Sequence, residues 1–335
     1  MLKQSLLFLC LCGSLLSCAQ QKLWVEYKGK EGPGKGKHIV FVSGDEEYRS
    51  EEALPMLAQI LSQKHGFDCT VLFAIDPSTG AIDAINRTNI PGLEHLAKAD
   101  LLFLFTRFRE LPDAQMKYID QYIQSGKPIV ALRTSTHAFH YEKNLKSVYA
   151  KYDYQSKVKG WENGFGKKIL GETWIDHHGK HGSEGTRALV DGIQQNNHHP
   201  ILNGVKDIWA PTDVYAIKQL PADAQVLLYG QSTNGMTASS PVNLDKSIMP
   251  IAWTRTYTSD SGKKGKVFAT TMGAAIDLLN EDLRRLLINA SYWATGLGDR
   301  VPGKVDVNYV TEYKPSMFSF EEFKQGSYPS KYELK

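Results

Sequence analysis

Three short stretches of the chain, HIVFVS at residues 38–43, DLLFLFT at 100–106 and PIVAL at 128–132, are apolar almost without interruption. A strand with one face in water alternates apolar and polar side chains. An unbroken run must be covered on both faces, which is the situation of a parallel strand between two layers of helix. The connecting segments supply those layers. Residues 51–65 place Leu54, Leu57, Ala58 and Leu61 on one helical face and stop at Gly66, and Pro55 suits that helix only in its first turn. Pro112 opens a second helix with Met116, Ile119 and Ile123 inward and Gly126 as its stop. Strands over 38–43, 70–75, 100–106 and 128–132, alternating with helices, predict an α/β fold with a doubly wound, mostly parallel sheet and right-handed crossovers.

Regularity lapses over residues 134–197, which are rich in His, Gly, Trp and Lys and too long for a plain loop, so an irregular insertion is expected there. Strands return at 214–217, 224–229, 250–253 and 267–271, some of them expected antiparallel at the sheet edge. Asn280 is placed to cap a last helix, with Glu281 and Asp282 near its positive end and Leu283, Leu286, Leu287, Ala290 and Ala294 inward. Beyond Val301 the aromatic residues, Phe318 and Phe320 among them, follow no helical period. Residues 298–335 are therefore expected as a C-terminal tail strapped over the domain.

Residues 1–17 carry Lys3 and then an apolar stretch too short to span a bilayer, the pattern of an export signal. The stretch ends in Leu15-Leu16-Ser17-Cys18, which is similar to the bacterial lipobox. Cys18 is the expected lipidation site, and the membrane an expected partner reached by an anchor, with the protein facing the periplasm or the cell surface. Residues 18–37, rich in Gly and Lys, read as a flexible tether to a domain at 38–297. With Cys10 and Cys12 in the signal and Cys18 lipidated, only Cys69 remains, so the mature domain has no internal disulfide and this thiol is expected in the core. The 335 residues include 39 Lys and Arg against 36 Asp and Glu, a net charge of +3 without a basic run, which leaves no electrostatic footprint for nucleic acid.

In an open parallel sheet, ligands bind beyond the carboxyl ends of the strands. That edge collects Asp45 and Glu46 after the first strand, Arg107 after DLLFLFT, and Arg133, Ser135 and His137 after PIVAL. The densest cluster is GETWIDHHGKHG at 171–182, with Glu172, Asp176, His177, His178 and His181. His177 and His181 would share a face if the segment were helical, and with a carboxylate they could ligate zinc or another divalent ion. Gly179 argues against a regular helix, and the same imidazoles also suit a loop folded over a pocket and used for hydrogen bonding. No cysteine follows PIVAL, the turn where a nucleophile would stand. GxGxxG and GxxxxGK[ST] are absent from the contexts they need, so no dinucleotide or NTP site is expected.

The segments HIVFVSGDEEYRSEEALPML, PIVALRTSTHAF, GETWIDHHGKHG, HHPIL, IWAPTDVY, MPIAWTRTY and FATTMGAAIDLLNEDLRRLLINASYWATGL, in this order between His38 and Leu297, resemble the ThuA-like (trehalose utilisation) proteins. The resemblance implies a class I glutamine amidotransferase-like fold and a link to the catabolism of oxidised (3-keto) glycosides. The fold's amidotransferase members carry a catalytic cysteine at the elbow. Its absence here points away from glutaminase activity. The resemblance aligns His137 with a histidine found after the corresponding strand in many ThuA-like chains, displaced by a few residues, and His199 with the family's His-Pro motif.

The expected activity is therefore an enzyme acting on a carbohydrate or keto-glycoside, isomerase or hydrolase in type, with His137 as general acid/base. Arg133 and Arg107 would hold sugar oxygens or a developing enolate charge. Asp176, in the catalytic group, and Asp45 and Glu46 would bind hydroxyls, orient a histidine or ligate the metal, with Ser135 and His178 among the substrate contacts. A non-catalytic sugar-binding lipoprotein and a scaffold with a vestigial pocket are the alternatives.

Overall fold

The computed structural model describes residues 22–335 apart from Asn197 and Glu321. The expected signal and the Cys18 lipidation site lie outside the described residues. The elements in chain order are β1 (Trp24–Tyr27), β2 (His38–Gly44), α1 (Ser50–His65), β3 (Asp68–Leu72), β4 (Leu101–Thr106), α2 (Asp113–Gln124), β5 (Ile129–Leu132), β6 (Thr186–Ala188), α3 (Val190–Gln195), β7 (Trp209–Ala210), β8 (Gln225–Ser232), β9 (Met249–Thr258), β10 (Lys264–Thr270) and α4 (Glu281–Ala294), joined by several short 3-10 turns.

The apolar runs form the middle of one sheet, ordered β1-β3-β2-β4-β5-β10-β9-β8-β6-β7. β3, β2, β4, β5 and β10 are parallel neighbours. The remaining pairings are antiparallel, so the sheet is mixed and not mostly parallel. The physical reason is connection length. The β9–β10 loop, residues 259–263, is too short for a crossover helix, and strands joined that tightly can only run antiparallel. The expected strand at 214–217 reduces to an isolated bridge between Tyr215 and His177.

Both faces of the central strands are buried, as their composition requires. Ile39 and Phe41 of β2 enter one apolar core together with Leu54, Leu57 and Leu61 of α1 and Leu283, Leu286 and Leu287 of α4. Val40 and Val42 enter the opposite core with Met116, Ile119 and Ile123 of α2. Asn280 caps α4 by accepting the backbone N–H of Leu283 at 2.8 Å. Cys69 is buried in β3.

Two expectations change here. Residues 22–37, read as a tether, are packed onto the domain as far as they are described. β1 pairs with β3, and Gly29, Gly32 and Gly34 press against residues 65–67 so closely that a Cβ on any of them would overlap the chain. Pro55 lies beyond the first turn of α1, where its missing N–H leaves the Glu51 carbonyl without the usual helical donor. The same helix is buried nearly all round, because the C-terminal tail covers its outer side. Ser316 binds Glu52, Thr311 binds Gln59, and the Tyr332 carbonyl accepts from Tyr27 and Gln59.

One consequence is a buried acid. Glu51 is 5% exposed, and neither of its carboxyl oxygens meets a partner beyond its own residue. Burial lifts its pKa from 4.5 to about 8. The folded state holds this proton more tightly than the unfolded chain. The associated stability is complete below pH 4.5 and is lost as pH rises towards 8. At about 1.4 kcal/mol per pH interval of one, Glu51→Gln should be more stable than wild type at pH 8 by roughly 2–4 kcal/mol and nearly equal to it at pH 4. Denaturant unfolding of both proteins at the two pH values measures this, and a difference that does not change with pH would contradict it.

Candidate functional site

Each conspicuous polar group at the carboxyl edge of the sheet is placed by a turn. β5 ends at Leu132, and Arg133 follows with φ 38°, a left-handed conformation that costs a non-glycine residue of order 1–3 kcal/mol. The Arg133 side chain holds this elbow in place. Nη1 donates to the carbonyls of Asp213 (3.0 Å) and Thr271 (2.8 Å), and Nη2 donates to Tyr48 Oη (3.0 Å) and Asp213 Oδ1 (2.8 Å). Its guanidinium lies between the rings of Tyr48 and Tyr215, 4.1 and 4.3 Å from their centroids. Arg133 and the Asp213 side chain are both 0% exposed. No Nη donor is left for a substrate, so Arg133 joins the loops after β2, β5 and β10 to the Asp213 segment.

The loop after β2 is organised by Asp45. Its buried carboxylate accepts the backbone N–H groups of Glu47 (2.8 Å) and Tyr48 and the hydroxyl of Thr134. This turn sends the next two carboxylates to different partners. Glu46 pairs with Arg107 and with Arg109 Nη2 (2.8 Å). Glu47 turns inward until its side chain is 4% exposed. Glu47 Oε2 lies 3.7 Å from Arg107 Nε and Oε1 lies 3.2 Å from His181 Nε2, yet Oε1 has no hydrogen bond. Burial, with Asp45 adding to it, raises the Glu47 pKa against the pull of Arg107 and Arg133.

Asp213 is where the histidine segment meets this wall. Oδ2 is 2.6 Å from His177 Nδ1 and Oδ1 is 3.3 Å from His181 Nδ1. Burial alone would raise its pKa, but Arg133 and the two imidazoles outweigh it and hold Asp213 below the ordinary carboxylate range. The hydrogen bond to Asp213 raises His181 in turn. The tail closes one side. Ser319 N donates to the Glu47 carbonyl, Phe318 packs on Tyr48 and His181, and the exposed Phe320 lies against Arg107.

The other sequence candidates are dispersed. His137 is 3% exposed and enclosed by Phe108, Trp174, Tyr215 and Tyr154, with ring centroids 5.0–6.3 Å away. Burial, then Arg107, Arg133 and His177, push its pKa well below the histidine range, so it is a neutral ring in the wall. It shares Trp174 and Tyr215 with His177 and lies on the same edge of the sheet. Ser135 donates to the Leu104 carbonyl, inside the sheet. Asp176 is exposed and accepts the backbone N–H of His177, and His178 turns away to the Ser247 carbonyl. His199 packs on Trp293 and accepts the N–H of Ile201. Behind Trp174 opens a separate cleft of about 700 Å³, lined by Tyr154, Lys157, Lys167, Lys218 and Gln219 among others.

Sequence reasoning missed Glu47, Asp213, Tyr48, Tyr215 and Trp174. Three adjacent carboxyl groups, Asp45, Glu46 and Glu47, give no period by which to choose the inward one, and Asp213 lies far along the chain from its partners. Glu47 and Tyr48 stood in the loop after the first strand and Trp174 in the histidine cluster, without a role for any of them, and Asp213 and Tyr215 lie in IWAPTDVY, quoted above for the resemblance and not as part of a site.

Removing one member of a buried pair leaves the other charge uncompensated. Arg133→Leu and Asp213→Asn should each lower stability by about 3–5 kcal/mol. Arg133→Lys should fail to restore it, because an ammonium cannot reach four acceptors in a plane. Chemical denaturation checks this, and a loss below 1 kcal/mol in either truncation would contradict the assignment.

No curated protein matches the chain. Among solved structures it is similar to a ThuA-like protein from Parabacteroides merdae, at 16% identity and TM-score 0.48, covering 86% of this chain and 98% of that one. It is similar to the IFT52 N-terminal domain at 13% identity and TM-score 0.38, covering 77% and 97%. It is also similar to the exo-β-1,4-mannosidase Op5Man5 from Opitutaceae bacterium strain TAV5 at 10% identity and TM-score 0.33, covering 77% of this chain and 36% of that one. The family model described as ThuA, trehalose utilisation, matches residues 38–294, well over half of the sequence, and the chain belongs to that family.

Proposed function

We propose that this protein is an exported, lipid-anchored enzyme of carbohydrate catabolism that moves a proton on an oxidised sugar, a keto-glycoside or keto-disaccharide. The observation that carries the reading is the Glu47, His181, Asp213 and His177 series, in which two carboxyl groups and two imidazoles lie within contact distance at the carboxyl edge of the sheet. Isomerisation next to a sugar carbonyl needs one group to take a proton from carbon and another to stabilise charge on oxygen, both within reach of one substrate. Glu47 and the imidazoles offer the first kind of group. Arg107, 18% exposed beside Glu46 and Glu47, offers the second. Trp174 and Phe320 flank the series with aromatic surface suited to a sugar face. The family's trehalose-utilisation description supports a sugar as the substrate class.

This reading shifts the proton chemistry from His137 to the Asp213 cluster, and substitution separates the two. Glu47→Gln and His181→Ala should each lower kcat/KM on a keto-glycoside by at least about a hundredfold, the scale of general acid–base catalysis. His137→Phe, which keeps the ring packing, should retain most of the rate. Inactivity of His137→Phe with full activity of the other two would return the role to His137. Saturable binding without turnover by wild type would make the chain a sugar-binding lipoprotein instead.

The anchor is tested separately. Palmitate labelling of expressing cells should mark the wild type and not Cys18→Ala, and equal labelling of both would remove the lipoprotein assignment.

A further inference from the structure

The Asp213 cluster is larger than proton chemistry alone requires. His177 and His181 both aim Nδ1 at Asp213, one at each carboxylate oxygen, and suitable ligand atoms of the three residues lie within 4.8 Å of one another. A tetrahedral zinc ion with bonds of about 2.0–2.1 Å separates its ligand atoms by about 3.3–3.4 Å. The 3.3 Å spacing of His181 Nδ1 from Asp213 Oδ1 already has that value, and the 2.6 Å spacing of His177 Nδ1 from the other oxygen, Oδ2, would have to open by less than about 1 Å.

A second observation is independent of those three residues. Glu47 is almost fully buried, its Oε1 has no hydrogen bond, and that atom lies 3.2 Å from His181 Nε2 but out of line with the ring N–H direction. A buried carboxylate oxygen without a partner is costly. A His181 ring whose Nδ1 faces a cation carries its proton on Nε2, and a small rotation of that ring would bring the proton into line with the oxygen. Metal-bound histidines commonly pair their other nitrogen with a carboxylate in this way, and the ligating carboxylate is itself hydrogen-bonded, as Asp213 is by Arg133. Charge agrees. The wall brings the carboxyl groups of Asp45, Glu46, Glu47 and Asp213 against the guanidinium groups of Arg107, Arg109 and Arg133, one more acid than base.

We infer that His177 Nδ1, His181 Nδ1 and the Asp213 carboxylate form a divalent-cation site of the zinc type, with Glu47 as the carboxylate behind His181. Asp45, Glu46 and Asp176, the carboxylates offered for a metal from the sequence, are not part of it. Three protein ligands leave a fourth position open, as in catalytic rather than structural zinc sites, and a sugar carbonyl or hydroxyl oxygen is the class of ligand that position takes. The site shares its residues with the proposed enzyme function and extends it, but rests on ligand geometry alone.

The test is binding of the metal itself to the full chain. Protein stripped with a chelator is titrated with Zn²⁺ by calorimetry and with Co²⁺ by visible absorption. The expected result is one ion per chain, with the Co²⁺ bands of a nitrogen–oxygen site and no thiolate band when Cys10, Cys12 and Cys18 are replaced by serine, since Cys69 is buried in β3. His177→Ala and His181→Ala should abolish stoichiometric binding, and Glu47→Gln should weaken it about 10–100-fold. His181 is one-third exposed, so its truncation leaves the buried Arg133–Asp213 pair intact, and circular dichroism verifies the fold of each variant. No stoichiometric ion on the wild type, or equal binding by wild type and both alanine variants, overturns the site. Stoichiometric binding by a chain that turns over no keto-glycoside upholds the site and removes only the enzymatic reading. Turnover by a stripped chain that binds no ion does the reverse.

Discussion

The site depends on a buried ion pair. Arg133 and Asp213 meet at 2.8 Å with both side chains inaccessible to water, between Tyr48 and Tyr215. Such a pair contributes little net stability, because desolvation offsets most of the attraction. Its effect is geometric. Four acceptors on one rigid guanidinium join the loops after β2, β5 and β10 to the Asp213 segment, and they hold Arg133 in a left-handed conformation that few side chains adopt. The charge of Arg133 also keeps Asp213 ionised despite burial, and an ionised Asp213 is what holds the two imidazoles. A sharp turn after a parallel strand can present a nucleophile. Here it presents a cation that faces inward and builds the opposite wall.

Around that pair, neighbours in sequence have different physical roles. Asp45 spends its lone pairs on two backbone N–H groups and a hydroxyl, which shapes the turn. Glu46 pairs with two arginines. Glu47 is left with an oxygen that nothing in the fold satisfies. A native structure rarely buries an unpaired carboxylate oxygen without a use for it, and this one lies against His181, whose pKa the hydrogen bond to Asp213 raises. The C-terminal tail contributes as well. It covers the outer side of α1 and brings Phe318 and Phe320 to the rim of the site.

Much was legible in the sequence because burial on both faces leaves a local trace. The runs at 38–43, 100–106 and 128–132 could only be interior strands, and the 3.6-residue periods between them could only be helices packed on those strands. Asn280 as a cap and Gly66 as a stop are likewise local chemistry. The mixed character of the sheet was less visible, because direction depends on connection length between strands whose ends periodicity places poorly. The packing of residues 22–37 was hidden altogether. Glycines that permit close approach to residues 65–67 are indistinguishable in composition from glycines that confer flexibility.

The sequence by itself determined that polar and titratable groups would gather at one edge of the sheet, since strand order along the chain dictates which loops follow the carboxyl ends. It also determined that no thiol would stand at the elbow. Which groups face one another was decided only by tertiary structure. His137 and Ser135 turn into the protein, Asp176 and His178 turn away, and Asp213, from a segment with no strand of its own, becomes the centre. The reason is that adjacent side chains in a loop differ in direction by backbone angles that long-range contacts impose. Here those contacts run from one guanidinium to a carboxylate 80 residues away.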